Sequence, residues 1–355
     1  MRSVTWLGLS ALAIGLPLSA AAAPEFYGRI NISLDRLSDY REGGLPGAYD
    51  DVAAGDTPLE DGWFVGSNAS RLGIRGREAL DVTPLSVIYQ LEVGYNADGD
   101  GDTFTTRNSF VGLGTPFGDV FAGRYDSPVK MVEGRVDQFN NTAADLGHYF
   151  YGQRRNDDTL NWKSPNWGDL VLRAQVGPGE AEEVGDEEKD GLADTWALSA
   201  TWNPDNLYAA VGYESSYLEV DNPAAPPAAV AADLELLRGA VGVTLGAVDL
   251  GALVERTRLD PDQAGLDRAD STSYLVSAGW RLPPRLTLKA QAGRVDGEDF
   301  GYESDILVVG ADYKLARGTK VYALLSGSDA TVTYPGGADD DDSGNLFSVG
   351  MEHKF

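Results

Sequence analysis

From residue 25 to the end, apolar and polar residues alternate with a period of two almost everywhere outside the long connections. Leu85, Val87, Tyr89, Leu91, Val93 and Tyr95 share one face, with Ser86, Gln90, Glu92 and Gly94 on the other. Trp196, Leu198, Ala200 and Trp202 oppose Ala197, Ser199, Thr201 and Asn203. Tyr274, Val276, Ala278, Trp280 and Leu282 oppose Leu275, Ser277, Gly279 and Arg281. That period belongs to strands with two unlike faces, because successive side chains of an extended chain point to opposite sides. The mature part of the chain has no run of 18 apolar residues, so no segment reads as a transmembrane helix. In lipid, the other way to satisfy every backbone group is a closed barrel.

Sixteen such strands can be read: 25–35, 67–78, 84–96, 104–114, 117–125, 157–164, 168–177, 194–203, 206–217, 233–245, 248–258, 271–282, 285–295, 302–315, 318–328 and 344–355. The connections alternate long and short. The long ones are 36–66, 97–103, 126–156, 178–193, 218–232, 259–270, 296–301 and 329–343, while the short ones carry Pro, Gly, Asn and Asp. Loops sorted by length to opposite ends are expected of an outer-membrane barrel, with tight turns on one side and long loops on the other. A soluble sandwich gives no reason for such sorting. The fold class is therefore all-β, a sixteen-stranded antiparallel transmembrane β-barrel.

The N-terminus fits export. Arg2 precedes an apolar run from Val4 to Leu18, and small residues follow to Ala23. This predicts a signal peptide over 1–22, cut after Ala22, and a single barrel domain over 23–355. The expected location is the bacterial outer membrane.

Composition removes other functions. The net charge of −27 opposes nucleic-acid binding, which rests on cations meeting phosphate. The chain has no cysteine and only two histidines, His148 and His353, which leaves little for a metal or thiolate centre. His148 has no serine motif beside it, and no glycine-rich phosphate cradle is present. The reading is no enzyme and no cofactor. Acidic runs at 180–190 and 339–342 fall in long loops and read as a solvated surface rather than a calcium loop.

Five stretches carry a resemblance to a known family. They are Phe26-Tyr27-Gly28-Arg29, Ser70-Arg71-Leu72-Gly73-Ile74-Arg75-Gly76, Arg107-Asn108-Ser109-Phe110-Val111-Gly112-Leu113, the run from Phe117 to Pro128, and the ending Val349-Gly350-Met351-Glu352-His353-Lys354-Phe355. The sequence resembles the trimeric general porins of Gram-negative bacteria, most of all their beta- and gammaproteobacterial branch. The resemblance implies passive diffusion of small hydrophilic solutes and ions through a water-filled channel. It also implies a homotrimer packed through the first strands, in contact with outer-membrane lipid and lipopolysaccharide. The third long loop should fold inward. Phe355 should be part of the signal read by the outer-membrane assembly machinery.

Parity places Arg29, Arg71 and Arg75 on inward faces, with Arg107 opposing Phe110, and a lipid-facing arginine costs about 2–4 kcal/mol. Arg124 shares parity with Val120 and Ala122, a less tidy alternation. The resemblance sets this basic wall opposite an inserted loop that offers Asp126, Lys130, Glu133, Arg135, Asp137 and Asp145. The ion sign stays open, with the acidic loops tilting it toward cations. A substrate-selective channel and a barrel enzyme remain the alternatives.

Overall fold

The computed structural model describes residues 23–38, 61–81, 84–99, 101–180, 182–184, 187–221, 229–261, 268–297, 302–334 and 338–355. The expected signal peptide, most of the first long loop and the tips of several others lie outside them.

Sixteen strands close into an antiparallel barrel. They are β1 (Glu25–Ser38), β2 (Gly62–Ser67 and Arg71–Ala79), β3 (Ser86–Tyr95), β4 (Phe104–Thr106 and Ser109–Thr115), β5 (Gly118–Asp126), β6 (Arg155–Lys163), β7 (Leu170–Gly177) and β8 (Thr195–Trp202). Then follow β9 (Leu207–Asp221), β10 (Ala229–Leu245), β11 (Val248–Pro261), β12 (Ala269–Leu282), β13 (Leu286–Gly297), β14 (Tyr302–Ala316), β15 (Thr319–Tyr334) and β16 (Ala338–Lys354). Each pairs with the next, and β16 pairs with β1 from Lys354↔Arg29 to Asn345↔Ser38. Closure leaves no strand edge unpaired in lipid.

The strands fall where the alternation put them, and several run further. The loop expected over 329–343 is largely strand, since β15 reaches Tyr334 and β16 starts at Ala338. A short hairpin, Glu182–Val184 with Glu187–Lys189, forms inside the loop expected over 178–193. The tight turns use glycine where backbone handedness demands it: Gly246 has φ 61° and Gly318 φ 85°.

The surface is inverted relative to a soluble protein. Outward positions are exposed and apolar around the wall, among them Ile74, Val111, Val211, Val254, Val276, Leu307 and Val349. The interior buries Asn31, Asn161, Gln175, Ser199, Arg238, Glu255, Gln291 and Glu352. Trp196 and Trp202 both point outward and are partly exposed, as a membrane girdle requires. At the seam, Phe355 exchanges both backbone hydrogen bonds with Gly28 (3.0 and 3.1 Å), and its ring lies 6.1 Å from that of Phe26. A Cβ at Gly28 would collide with the Phe355 ring, so glycine there admits the terminal aromatic.

Two parity expectations fail. Phe110 was expected to face outward; it pairs with Gln90 on the inward face. There it meets Phe121 (4.4 Å between ring centroids) and Tyr125 (5.4 Å). The cause is the break in β4. Val93 pairs with Thr106 while Gln90 pairs with Phe110, so β4 spends one extra residue and its parity flips. Arg124 stands opposite an extra residue in the partner strand β6. The β5–β6 register shifts between Gly123 and Tyr125, and Arg124 bonds Asp157 at that bulge.

Candidate functional site

Segment 127–153 joins β5 to β6 and carries the site. A clamp of opposite charges closes its stem. Asp126 receives Arg155 at 3.0 Å, Lys130 at 3.4 Å and the Asn108 amide at 2.8 Å. Glu214 of β9 takes Arg154 at 3.3 Å and the Ser127 hydroxyl.

Beyond the stem, the segment runs along the wall from β9 to β15. Val129 packs on Leu234, Leu236 and Leu259. Val132, Val136, Leu146 and Phe150 pack on Tyr208, Leu253, Leu275 and Val295. Phe139 and Ala144 reach Ile306, Val308, Tyr322 and Leu324. Each large side chain buried this way is worth about 1.5–3 kcal/mol. Hydrogen bonds fix the path: Tyr208 OH donates to Val132 O at 2.8 Å, Ser277 Oγ to Val136 O at 2.5 Å, and Gln138 N to Gln291 Oε1 at 3.0 Å. At its far end Asn141 meets Asn31 Nδ2 through its carbonyl (2.5 Å) and Arg71 Nη1 through its side chain (3.4 Å). On the return, Gly152 N donates to Glu255, whose pair with Arg238 is fully buried. All of these wall partners have the parity opposite to the apolar, exposed set.

The acids of the segment are mostly engaged in holding its shape. Asp137 accepts from Phe139 N (2.8 Å) and Leu146 N (3.2 Å). Asp145 accepts from Gly147 N at 2.7 Å and from Asn141 N. Glu133 accepts from Asn140 Nδ2 at 2.6 Å and from Gln153. Burial, then the charge of Asp145, pushes the Glu133 carboxyl up to about 7; the same two causes hold Asp137 well above the usual carboxylate range. Arg135 is exposed on the segment, with no ion pair among the described residues.

Three of the expected wall arginines converge. Arg71 (3.8 Å) and Arg107 (2.8 Å) share Glu92, which also accepts from Tyr27 OH at 2.9 Å. Arg29 lies 3.3 Å from Glu352, which Lys354 also reaches at 3.1 Å, and Arg29, Arg71 and Arg107 stand within electrostatic range of one another. The other two stand apart. Arg75 makes a two-pronged pair with Glu25 (2.9 and 2.8 Å), about half exposed, four residues along β2 from the arginine that touches the segment. Arg124 sits opposite the β6 bulge with Asp157. Sequence reasoning passed over the wall carboxylates that share cations: Glu92, Glu352, and Asp312, which takes Lys289 at 3.0 Å and Lys320 at 2.9 Å. Their inward parity was the available signal. Among the described residues no group of His, Asp or Glu is arranged to hold a metal ion.

A family model described as Gram-negative porin matches residues 8–331. The major outer membrane protein P.IB of Neisseria sicca is 24% identical, over 96% of this chain and 97% of that one. Its counterpart in Neisseria gonorrhoeae is also 24% identical, over 88% and 89%. Among solved structures, an anion-selective porin from Comamonas acidovorans is similar with a TM-score of 0.72 at 19% identity, covering 94% of this chain and 99% of that one. In-vitro-folded OmpT of Vibrio cholerae in its trimer form gives a TM-score of 0.67 at 17% identity, with coverage of 94% and 99%.

Proposed function

The chain belongs to the Gram-negative porins, outer-membrane channels for passive diffusion of small hydrophilic solutes, and we propose that its throat lies between segment 127–153 and the arginines of β1, β2 and β4. The supporting observation is directional. The segment leans on the inward face of β9–β15 and meets the opposite wall only near Asn141, so the remaining opening is bordered by Arg29, Arg71 and Arg107.

The throat prefers anions, against the tilt that the acidic loops gave the sequence. Glu92, Glu352 and Asp312 each serve two cations, so the wall keeps a positive excess. Asp126 is matched by Lys130 and Arg155, and the raised Glu133 and Asp137 carboxyls carry less than full charge at neutral pH. The run at 180–190 lies in the connection between β7 and β8 and the run at 339–342 at the start of β16, both at the end of the barrel away from the tight turns, where salt screens a charge within about 8 Å. Charges facing each other across a narrow passage are screened less.

Four further points belong to this proposal. Residues 1–22 are the removed signal peptide. The outward faces of the early strands, with Ile30, Ile74, Val93 and Val111 partly exposed, join three copies in lipid and lipopolysaccharide. Phe355, zipped over Gly28, serves the assembly machinery. The chain acts as a channel rather than an enzyme: His148 meets the ring of Tyr149 edge-on at 6.4 Å. The test is reconstitution of the full chain in a planar bilayer, with the same sample run unheated on a gel. Stepwise conductance that scales with bulk salt, and a species of three chains, are expected. A sealed bilayer and a lone single-chain band would reject the reading.

A further inference from the structure

Three lumen cations away from the arginine wall have no carboxylate among the described residues. Lys163 of β6 and Arg173 of β7 are direct cross-strand partners on the inward face. Like charges so placed, with Cβ atoms about 4.5–5.5 Å apart, destabilise a sheet. The acid opposite Lys163 in register, Asp119, is already occupied: both its oxygens take Arg77 Nη2 at 2.7 Å. Arg173 gives one nitrogen to Thr201 Oγ1 at 3.2 Å and keeps the rest of its fork open. Arg135 approaches from the segment. It lies against the wall at Gly242, where a Cβ would stand 3.7 Å from its Nε and 3.4 Å from the Tyr208 Cβ. Arg173 and Arg135 both lie within electrostatic reach of the Tyr208 hydroxyl, which is itself committed to Val132 O. The acid that also reaches Tyr208, Glu133, is held by Asn140 and Gln153.

Folding gains nothing by opposing Lys163 to Arg173, while an oxyanion between them would relieve the repulsion. We propose that Lys163, Arg173 and Arg135 form a binding station, on the turn side of the throat, for a small solute carrying a carboxylate or phosphate group. Guanidinium forks match two oxygens of such a group, and the lysine adds a point charge. The paired cations elsewhere in the lumen would have to give up a carboxylate to do the same. The station rests on the channel reading and deepens it, turning a passive throat into one with a resting point for anionic nutrients.

The experiment uses the reconstituted full chain. Steps in plain potassium chloride are recorded first, which establishes the channel independently of the station. Sodium phosphate or sodium succinate is then titrated at constant chloride. Wild type should lose conductance saturably. The Lys163→Gln/Arg173→Gln pair should raise the half-blocking concentration about tenfold or more, the scale of losing a charge-assisted hydrogen bond. Lys163→Gln alone, at an exposed position, should shift it in the same direction by less. Arg281→Gln, whose partner is Asp249, should leave it in place. Block by one anion alone assigns the station to phosphate or to carboxylate. Open channels that neither anion blocks saturably, or a block unchanged in the double variant, would overturn the proposal.

Discussion

The two halves of the barrel have different inner faces. In β1–β8 the inward positions carry Arg29, Arg71, Glu92, Arg107, Asn161 and Gln175, and the strands shorten to 8 residues at β7 and β8. In β9–β16 the strands run to 17 residues, and inward positions include Leu234, Leu236, Leu253, Leu275, Val295 and Val308, all buried. An apolar residue facing a water-filled lumen would be an error of pattern. Here each of these sits beneath, or in one apolar cluster with, segment 127–153. One half is a wall for the segment, and the other is the wall that the proposed throat leaves to solutes.

The contrast is most easily broken at the buried charges. Arg238 and Glu255 pair at 2.5 Å with both side chains fully buried, and Gly152 rests on the same carboxylate. Arg238→Met strands that carboxylate and should cost about 3–5 kcal/mol in urea unfolding of the detergent-solubilised protein. Arg77→Met removes a pair whose arginine is half exposed, and should cost no more than about 1 kcal/mol. Equal losses in the two halves would erase the distinction.

A smaller effect sharpens it by pH. Glu133 is neutral below its raised value, near 7, and charged above it, so raising the pH adds negative charge to the segment and none to the arginine wall. Anion preference should therefore be stronger at pH 5.5 than at pH 8.5, by up to a few-fold in permeability ratio. Glu133→Gln should flatten most of that dependence. A preference that grew with pH would place the titrating group elsewhere.

Much of this was legible in the sequence, and the failures are local. Strand number, order and closure follow from alternation and turn residues, because lipid outside and water inside impose a two-faced strand. Phe110 was misplaced because one extra residue in β4 flips its parity, and Arg124 stands opposite an extra residue in β6; no periodic pattern registers either. Parity put Arg71 and Arg75 together inward, but their height relative to the segment depends on register, so only Arg71 touches Asn141. The sharing of Glu92 by Arg71 and Arg107 joins β2, β3 and β4, and needs three registers at once. Leu275, which shares parity with Ser277 and Gly279, was the visible trace of the segment's footprint.

On the proposed reading the arginine wall beside the segment, and not the net charge of −27, sets what passes. The reversal potential across a tenfold potassium chloride gradient in a planar bilayer tests it most directly, for wild type, Arg107→Gln and Arg75→Gln. Wild type should reverse on the chloride side. Arg107→Gln should move clearly toward potassium, because it leaves Glu92 with Arg71 alone among its two arginines. Arg75→Gln, removing a cation from an exposed pair with Glu25, should move it less. A wild type that reverses on the potassium side, or a larger shift for Arg75→Gln than for Arg107→Gln, would contradict the account.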